Sequence, residues 1–167
     1  MTLDDVDVFV FDFDGVLTNN MVYLDQNGKE SVSCSRADGL AFDVLRKLNK
    51  PAYILSTEEN TVVSARAKKL KITAVQGVKD KVSGMQKIVK KENCSLERVL
   101  YVGNDLNDYR VMGICGFSVC PADSHYKIKK ISGIVLKTDG GQGIVRELLE
   151  DVLKLDFIEI LYKGGSE

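Results

Sequence analysis

Residues 8–18 read VFVFDFDGVLT, and this stretch decides the fold. Its first four residues are apolar and either branched or aromatic, which is typical of a strand buried on both faces. Asp12 and Asp14 follow at positions i and i+2, so their side chains leave the strand in the same direction. Open parallel sheets bind ligands at the carboxyl ends of their strands. The sequence therefore predicts a site with two carboxylates, whose repulsion a cation or a proton must relieve.

Gly15 directly follows the two carboxylates and suits a sharp turn, because glycine adopts backbone conformations that other residues avoid. Taken alone, Asp-x-Asp-Gly also fits an ordinary strand-to-turn junction, since short motifs recur by chance. Three later stretches favour the functional interpretation. They contain Ser56, Lys81 and Asn104, each near the end of a predicted strand or the start of a predicted helix.

The composition is that of an ordinary globular chain. With 167 residues, 44% of them hydrophobic and 28% charged, one domain with a substantial core is expected. The 23 basic and 24 acidic residues nearly cancel, which gives no reason to expect a nucleic acid or a membrane surface as partner. No apolar run is long enough to span a bilayer, and no signal peptide is recognisable. The four cysteines form no Cys-x-x-Cys pair, so we expect reduced thiols and a cytoplasmic protein.

Alternating strand and helix patterns with short connections predict one Rossmann-like α/β domain over residues 1–167, a parallel sheet with helices on both faces. An Asn-Gly pair at residues 27–28 predicts a β-hairpin, in an insertion over residues 19–36 that follows the first strand. This insertion is too short to be a cap domain. The tail, residues 156–167, is expected to be partly apolar as far as Tyr162 and then flexible.

The predicted strands cover residues 6–12, 21–24, 31–34, 52–55, 72–75, 98–102, 116–119 and 133–136, and the predicted helices residues 38–48, 59–70, 81–91, 124–131 and a last one from residue 144. In the first helix, the residues predicted to face the core recur at helical spacing and are Leu40, Val44, Leu45 and Leu48. Asp38 has a residue type that caps helices, and we expect it to cap this one. The single histidine, His125, is expected at the surface at the start of a helix.

The sequence Asp-Phe-Asp-Gly-Val-Leu-Thr resembles the first motif of the haloacid dehalogenase (HAD) superfamily of phosphatases. The resemblance implies that Asp12 is the nucleophile and Asp14 the general acid and base. Ser56 matches the second motif, in which a hydroxyl binds a phosphoryl oxygen. Lys81 matches the third motif, in which an ammonium neutralises the aspartyl phosphate, and Lys79 is the competing residue. Four motifs in the family's order make this resemblance specific.

The stretch GNDLND matches the fourth motif of the family, which binds Mg²⁺. The implied ligands are the Asp12 carboxylate, the backbone carbonyl of Asp14 and an acidic residue directly after the glycine. This chain departs from the motif, because Asn104 stands at that last position. An amide oxygen is still a hard ligand for Mg²⁺. Asp105 or Asp108 is expected to compensate for the missing charge, directly or through water.

The hairpin, an Ala-Asp-Gly triplet at residues 37–39 and the stretch GGQGIVRE at residues 140–147 narrow the resemblance to a capless branch of sugar-acid phosphatases. This branch contains phosphatases of 3-deoxy-D-manno-octulosonate 8-phosphate and of nonulosonate (sialic-acid-type) 9-phosphates, together with the C-terminal domain of animal CMP-sialate synthetase. Its members form tetramers in which the hairpins pair and a neighbouring subunit caps each site. The resemblance therefore implies a homotetramer.

The resemblance implies substrate contacts from Thr57, Glu58, Arg66, Lys69 and Asp108. Three of these, Glu58, Arg66 and Lys69, resemble a triplet found in the nonulosonate group. Arg66 and Lys69 lie at i and i+3 on a predicted helix and suit a sugar carboxylate. A solvated basic helix face explains the same pattern.

These observations predict a Mg²⁺-dependent phosphatase that hydrolyses a sugar-acid phosphate, a nonulosonate 9-phosphate, through an aspartyl phosphate. The alternative substrate is 3-deoxy-D-manno-octulosonate 8-phosphate. Two rival functions stay open. One is a non-catalytic tetramerisation module, which the synthetase domain and Asn104 suggest, and the other is a phosphotransferase or mutase that uses the same nucleophile.

Overall fold

Strand β1 (Val8–Phe11) lies at the centre of a six-stranded sheet, and the computed structural model describes this fold over residues 1–163. All pairings in the sheet are parallel, in the order β5-β4-β1-β6-β7-β8. Phe11 is in register with Ile54 of β4 on one side and with Val102 of β6 on the other. The expected parallel α/β architecture with helices on both faces is confirmed.

The other strands are β2 (Tyr23–Leu24), β3 (Glu30–Ser31), β4 (Ala52–Leu55), β5 (Thr73–Val75), β6 (Val99–Val102), β7 (Phe117–Cys120) and β8 (Ile134–Val135). The helices are α1 (Ala37–Lys47), α2 (Val62–Leu70), α3 (Lys81–Glu92), α4 (Tyr109–Met112), α5 (Tyr126–Ile131) and α6 (Ile144–Glu147), which continues as a π-helical turn over Leu148–Val152. Short 3₁₀ turns cover Leu3–Asp5, Leu96–Arg98 and Leu106–Asp108, and a further π-helical turn covers Glu159–Lys163.

The core has two layers, one on each face of the sheet, because successive strand residues point to opposite faces. Phe9 and Phe11 of β1 face the layer that α1, α2 and α6 complete. Val8 and Val10 face the layer that α3, α4 and α5 complete. All four side chains are at most 1% exposed, and each such burial contributes about 1.5–3 kcal/mol to stability. A strand with no exposed face is thus fixed in register, which fixes the point where its carboxylates emerge.

The predicted hairpin forms a separate two-stranded antiparallel sheet within the insertion. Its strands are shorter than expected and begin nearer the turn, with Tyr23–Leu24 paired to Glu30–Ser31. Asp25 Oδ1 accepts hydrogen bonds from the N–H groups of Asn27 and Lys29. These bonds close the turn over residues 25–29 and set the register of the pair.

The structure corrects two expectations about α1. Asp38 does not cap this helix but lies in its first turn, where its carboxylate accepts a hydrogen bond from the N–H of Val145 at the start of α6. Leu40 is 39% exposed, whereas Val44 and Leu45 are buried as predicted. The buried apolar face of α1 therefore begins with Ala41 and Phe42, directly after Leu40.

Helix α2 begins at Val62, three residues after the predicted start. Side chains in the preceding segment bond to the backbone and hold it outside the helix. Glu58 Oε1 accepts from the N–H of Asn60, and Asn60 Oδ1 accepts from the N–H of Val62. The loop after β4 is therefore stabilised by its own side-chain-to-backbone hydrogen bonds.

At the C-terminal end, the Lys47 ammonium donates to the carbonyl oxygens of Ile160 and Leu161, which attaches this segment to α1. The predicted flexible end falls mostly on residues 164–167, which lie outside the described residues. Within residues 1–163, no helix is long and apolar enough to cross a membrane.

Candidate active site

The polar residues predicted to act together meet at the carboxyl edge of the sheet. Asp12 directly follows β1, Ser56 directly follows β4, and Asn104 follows β6 by two residues. Lys81 is the first residue of α3, and its ammonium contacts the Asp12 carboxylate at this edge. A cavity of about 300 Å³ opens at this edge. Its lining residues are Asp12, Asp14, Asn20, Ser56, Thr57, Asn104, Asp105, Leu106 and Asn107.

The loop after β1 shapes the part of the site that carries Asp14. The Phe13 carbonyl accepts hydrogen bonds from the N–H groups of Val16, Leu17 and Thr18. The Thr18 side chain, which is fully buried, accepts from the N–H groups of Gly15 and Asn20. Gly15 has a φ of +74°, a left-handed conformation that favours glycine. The turn expected from Gly15 is present.

A buried ion cluster holds the predicted nucleophile. Lys81 Nζ lies 2.8 Å from Asp12 Oδ1 and 2.6 Å from Asp108 Oδ1. Asp12 Oδ1 also accepts from the N–H of Phe13 at 2.8 Å. All three charged residues are at most 4% exposed. The structure thus brings Lys81, and not the exposed Lys79, into contact with Asp12.

Asp108 connects this cluster to the surrounding protein through hydrogen bonds of both its carboxylate oxygens. Its Oδ1 accepts from Lys81 Nζ and from the Tyr101 hydroxyl at 2.7 Å, and its Oδ2 accepts from the N–H groups of Asn104 and Asp105. Asp108 is 0% exposed, so it lies beneath the cavity and not on its surface. We expected a substrate contact from Asp108, but both of its oxygens are engaged with the protein. This geometry assigns Asp108 to orienting Lys81.

Burial and the neighbouring charges shift the pKa values of Asp12 and Lys81. Burial, with the Asp108 carboxylate, raises the pKa of Asp12 to about 7, although the Lys81 ammonium opposes the shift. Burial alone would lower the pKa of Lys81, but the Asp12 and Asp108 carboxylates raise it. The lysine therefore stays protonated at neutral pH. A further cation beside Asp12 would favour its ionised form.

Asp14 is half-buried at the cavity wall, and its pKa is raised by burial and by the nearby Glu58 carboxylate. A carboxyl with a raised pKa is suited to general acid catalysis near neutral pH. Glu58 therefore lies near enough to Asp14 to affect its charge state, and the substrate contact expected of Glu58 stays a prediction. Its neighbour Thr57 is exposed and lines the cavity.

Ser56 is 2% exposed, and its Oγ accepts a hydrogen bond from the N–H of Glu58 at 3.1 Å. Its hydroxyl proton therefore remains available for an oxygen in the cavity, as a phosphoryl-binding group requires.

Asn104 presents the feature that best fits a metal. Its Oδ1 is buried and makes no hydrogen bond within residues 1–163. A buried acceptor without a partner indicates a missing donor or cation. Across the same residues no cluster of three histidine, cysteine, aspartate or glutamate side chains surrounds a common point. A metal here would therefore need the amide oxygen of Asn104 and a backbone carbonyl beside Asp12, a set of hard oxygen donors that fits Mg²⁺.

Asp105 is exposed, and its Oδ1 accepts from the N–H of Leu106, which begins the short turn there. Arg66 and Lys69 do not line the cavity that contains Asp12. They line a second cavity between α1 and α2, where Arg66 donates to the Ser35 carbonyl at 2.7 Å. Within residues 1–163, these two cations therefore lie outside the cavity that contains Asp12.

Sequence reasoning missed three residues that build the site. Thr18 and Asn20 shape the loop after β1, and Tyr101 binds Asp108 through its hydroxyl. Thr18 belongs to the quoted motif, so its position relative to Gly15 was a usable signal. Tyr101 lies in an apolar run that predicts a buried strand. Nothing in the neighbouring sequence indicates that its hydroxyl binds Asp108.

The fold and the site define a capless α/β domain with a buried carboxylate next to a buried lysine at the carboxyl edge of the sheet. The chain belongs to the family of haloacid dehalogenase-like hydrolases, whose family model matches residues 43–148, and it is a phosphatase of that family. It is 30% identical over 147 residues to the 3-deoxy-D-manno-octulosonate 8-phosphate phosphatase of Yersinia pestis, a match that covers 87% of this chain and 79% of the relative.

Solved structures agree with this placement. A protein from Streptomyces avermitilis described as a HAD family hydrolase superposes with a TM-score of 0.87 at 40% identity, over 90% of this chain and 92% of the other. The 3-deoxy-D-manno-octulosonate 8-phosphate phosphatase of Moraxella catarrhalis, solved with magnesium, phosphate and its sugar acid, superposes with a TM-score of 0.85 at 28% identity, over 90% of this chain and 87% of the other.

Replacement of Asp12 by asparagine is expected to lower kcat for phosphate release by about 10⁴-fold or more, because an amide cannot form the aspartyl phosphate. The protein should keep its fold, since the side-chain volume is unchanged. Asp7→Asn is the matched control, because Asp7 is a partly exposed carboxylate one residue before the same strand. Turnover of Asp12→Asn within tenfold of the wild type would remove the nucleophile assignment.

Proposed function

We propose that the protein hydrolyses 3-deoxy-D-manno-octulosonate 8-phosphate, or a closely similar sugar-acid phosphate, with Mg²⁺ and through an aspartyl phosphate on Asp12. The observation that carries the proposal is the buried contact of Lys81 with Asp12 at 2.8 Å, at the carboxyl edge of the sheet. The named activity of the relatives supports the substrate.

The residues of the chain divide the reaction between them. The Asp12 carboxylate attacks phosphorus, and Lys81 and the N–H of Phe13 fix its orientation through Oδ1. Asp14 protonates the leaving oxygen, then takes a proton from the water that hydrolyses the aspartyl phosphate. The Ser56 hydroxyl donates to a phosphoryl oxygen, and Lys81 offsets negative charge as it builds on Asp12.

The metal site of this proposal consists of the Asp12 carboxylate, the backbone carbonyl of Asp14 and the Asn104 side-chain oxygen. Bound Mg²⁺ would supply charge neutralisation for the phosphoryl oxygens. Asn104 is suited to this role because its Oδ1 is buried without another partner among the described residues. Asp105 is less suited to direct ligation, because it is exposed and its Oδ1 accepts from the backbone.

The substrate preference differs from the one expected from the sequence. Glu58, Arg66 and Lys69 favoured a nonulosonate 9-phosphate, whereas the relatives act on the octulosonate 8-phosphate. Arg66 and Lys69 line a cavity separate from the one that contains Asp12, so their part in binding a sugar carboxylate has less support. The octulosonate is therefore the first substrate to test.

The rival functions lose support in the same geometry. A non-catalytic module has no need for a buried lysine between two buried carboxylates, because such clusters are weak contributors to stability. A phosphotransferase or mutase would use the same nucleophile, and transfer of phosphate to an added sugar would distinguish it from a hydrolase.

The hairpin suggests a second copy of the chain as a partner. Met21, Val22, Tyr23 and Leu24 are consecutive apolar residues, each more than half exposed. A contiguous apolar patch of this kind marks an interaction site. We include in the proposal a homotetramer in which the hairpins of the subunits meet through these four residues.

Phosphate release is expected to require Mg²⁺, and the affinity for Mg²⁺ is expected to depend on the residue at position 104. EDTA should abolish phosphate release and Mg²⁺ should restore it. Asn104→Asp should lower the Mg²⁺ dissociation constant by about tenfold, about 1.4 kcal/mol, because a carboxylate adds charge to the same ligand position. Calorimetric titration of the wild type and the variant measures this directly. An unchanged affinity would show that this side chain does not ligate the metal.

Substrate selectivity is expected to favour the octulosonate 8-phosphate. Its kcat/KM should exceed that of ketodeoxynonulosonate 9-phosphate and N-acylneuraminate 9-phosphates by about tenfold or more, the effect of a 1.4 kcal/mol difference in transition-state binding. Phosphate release is measured for each sugar, with Asp12→Asn as the control for contaminating phosphatases. A higher value for any nonulosonate would restore the preference inferred from the sequence.

Assembly is expected to depend on the hairpin. The wild type should sediment as a tetramer, and Leu24→Lys should shift it to smaller species, because a charge buried at an interface without a partner is costly. Tyr126→Ser is the control, since Tyr126 is also more than half exposed but lies on α5. A wild-type monomer at micromolar concentration would exclude this arrangement.

A further inference from the structure

Asp38 is a buried carboxylate that the proposed mechanism does not use. It is 1% exposed, and its Oδ1 accepts a hydrogen bond from the N–H of Val145 at 3.0 Å. Its Oδ2 is buried and makes no hydrogen bond within the described part of the chain. Burial of a carboxylate with an unused acceptor is unfavourable. A role in overall stability alone is therefore a poor explanation for this residue.

The N–H group that donates to Asp38 belongs to the first turn of α6. This turn directly follows residues 140–143, which we call the glycine loop. Gly143 has a φ of +99°, and a Cβ there would lie 3.4 Å from the Cβ of Ala37 in α1. Asp38 thus ties the first turn of α1 to the point where the glycine loop enters α6.

The other end of the glycine loop packs against the loop that carries Asp14. A Cβ on Gly140 would lie 2.1 Å from the carbonyl oxygen of Gly15. The N–H of Gly141 donates to the Val16 carbonyl at 2.9 Å, and a Cβ on Gly141 would lie 2.4 Å from the carbonyl carbon of Thr18. The two loops therefore touch backbone to backbone, with no room for a side chain between them.

The loop after β1 is also held by the packing of its buried apolar side chains in the core and by a β-bridge between Thr18 and Cys34. Its N–H groups bond to the Phe13 carbonyl and to the Thr18 hydroxyl, both within the loop. The bond from Gly141 comes from outside it. Displacement of the glycine loop would therefore move the segment that includes Asp14.

We propose that Asp38 is a positioning residue for the general acid. Through the first turn of α6 and the glycine loop, it holds the loop after β1 where Asp14 reaches the leaving oxygen. The inference rests on the proposed function, because it takes Asp14 as the acid. Asp38 does not touch the reacting atoms, so its effect must appear in the step that Asp14 serves.

The dependence on the leaving group tests this role. Phenolate is a poor leaving group that needs a proton, whereas p-nitrophenolate leaves without one, and kcat/KM reports the first transfer to Asp12. Asp38→Ala is expected to lower kcat/KM for phenyl phosphate about tenfold, and for p-nitrophenyl phosphate less than about twofold. Asp38→Asn keeps an acceptor for the Val145 N–H and should recover most of the loss.

A second pair of variants tests the glycine loop without altering Asp38. Gly141→Ala places a methyl group against Thr18 and should show the same selective loss for phenyl phosphate. Gly28→Ala is the matched control, because Gly28 also has a positive φ, +79°, but a Cβ there meets nothing within 4 Å. Both variants carry the same kind of backbone strain, so only the contact with the loop after β1 differs. Far-UV circular dichroism confirms that each variant is folded.

Asp14→Asn provides the reference, since it removes the acid itself and should show the largest selective loss. If it shows none, the acid assignment fails, and the proposed function fails with it in its present form. If Asp14→Asn is selective but Asp38→Ala and Gly141→Ala lower both substrates equally, or neither, the positioning role is overturned and the proposed function stands. A selective loss in all three variants supports the inference.

Discussion

The contact of the Lys81 ammonium with two buried carboxylates is the interaction on which the rest of the site depends. None of the three charged groups would be stable alone at this depth, because an unpaired buried charge costs several kcal/mol. Each holds the others in place: Asp108 receives Lys81 and the Tyr101 hydroxyl, and Lys81 in turn orients Asp12. The adjacent strands β1 and β6 make this possible, since both end at the same edge of the sheet.

The charge balance of the cluster explains why a cation belongs to the reaction. Two carboxylates and one ammonium leave a net negative charge, and Asp14 and Glu58 lie near enough for Glu58 to raise the pKa of Asp14. A phosphate monoester brings further negative charge to this place. In the proposed metal site, Asn104 would offer an oxygen where the family has a carboxylate, which would keep a ligand but remove one charge. An amide at this position would therefore attract a divalent ion less strongly than a carboxylate, although both supply an oxygen donor.

Much of the fold and the central site followed from local sequence patterns. An unbroken apolar run fixed β1, and the residues after β1, β4 and β6 supplied Asp12, Ser56 and Asn104 as expected. What could not be predicted depends on distant partners or on side-chain bonds to the nearby backbone. Asp38 has the residue type of a helix cap, yet the N–H that it accepts lies 107 residues further along the chain. Side-chain bonds to nearby backbone likewise moved the start of α2 and the strands of the hairpin, because such bonds compete with regular structure.

The separation of two cavities bears on how a domain without a cap selects its substrate. In the proposed mechanism, the cavity at Asp12 provides groups for a phosphoryl oxygen and a leaving oxygen. Its wall includes exposed residues, such as Thr57 and Leu106, and opens to solvent. Arg66 and Lys69, which suit a carboxylate, line another cavity between α1 and α2. In the described residues, the two cations that suit a carboxylate therefore lie outside the cavity that contains Asp12. In such a domain the buried cluster can stay constant while residues at the rim of the cavity change the sugar that is accepted.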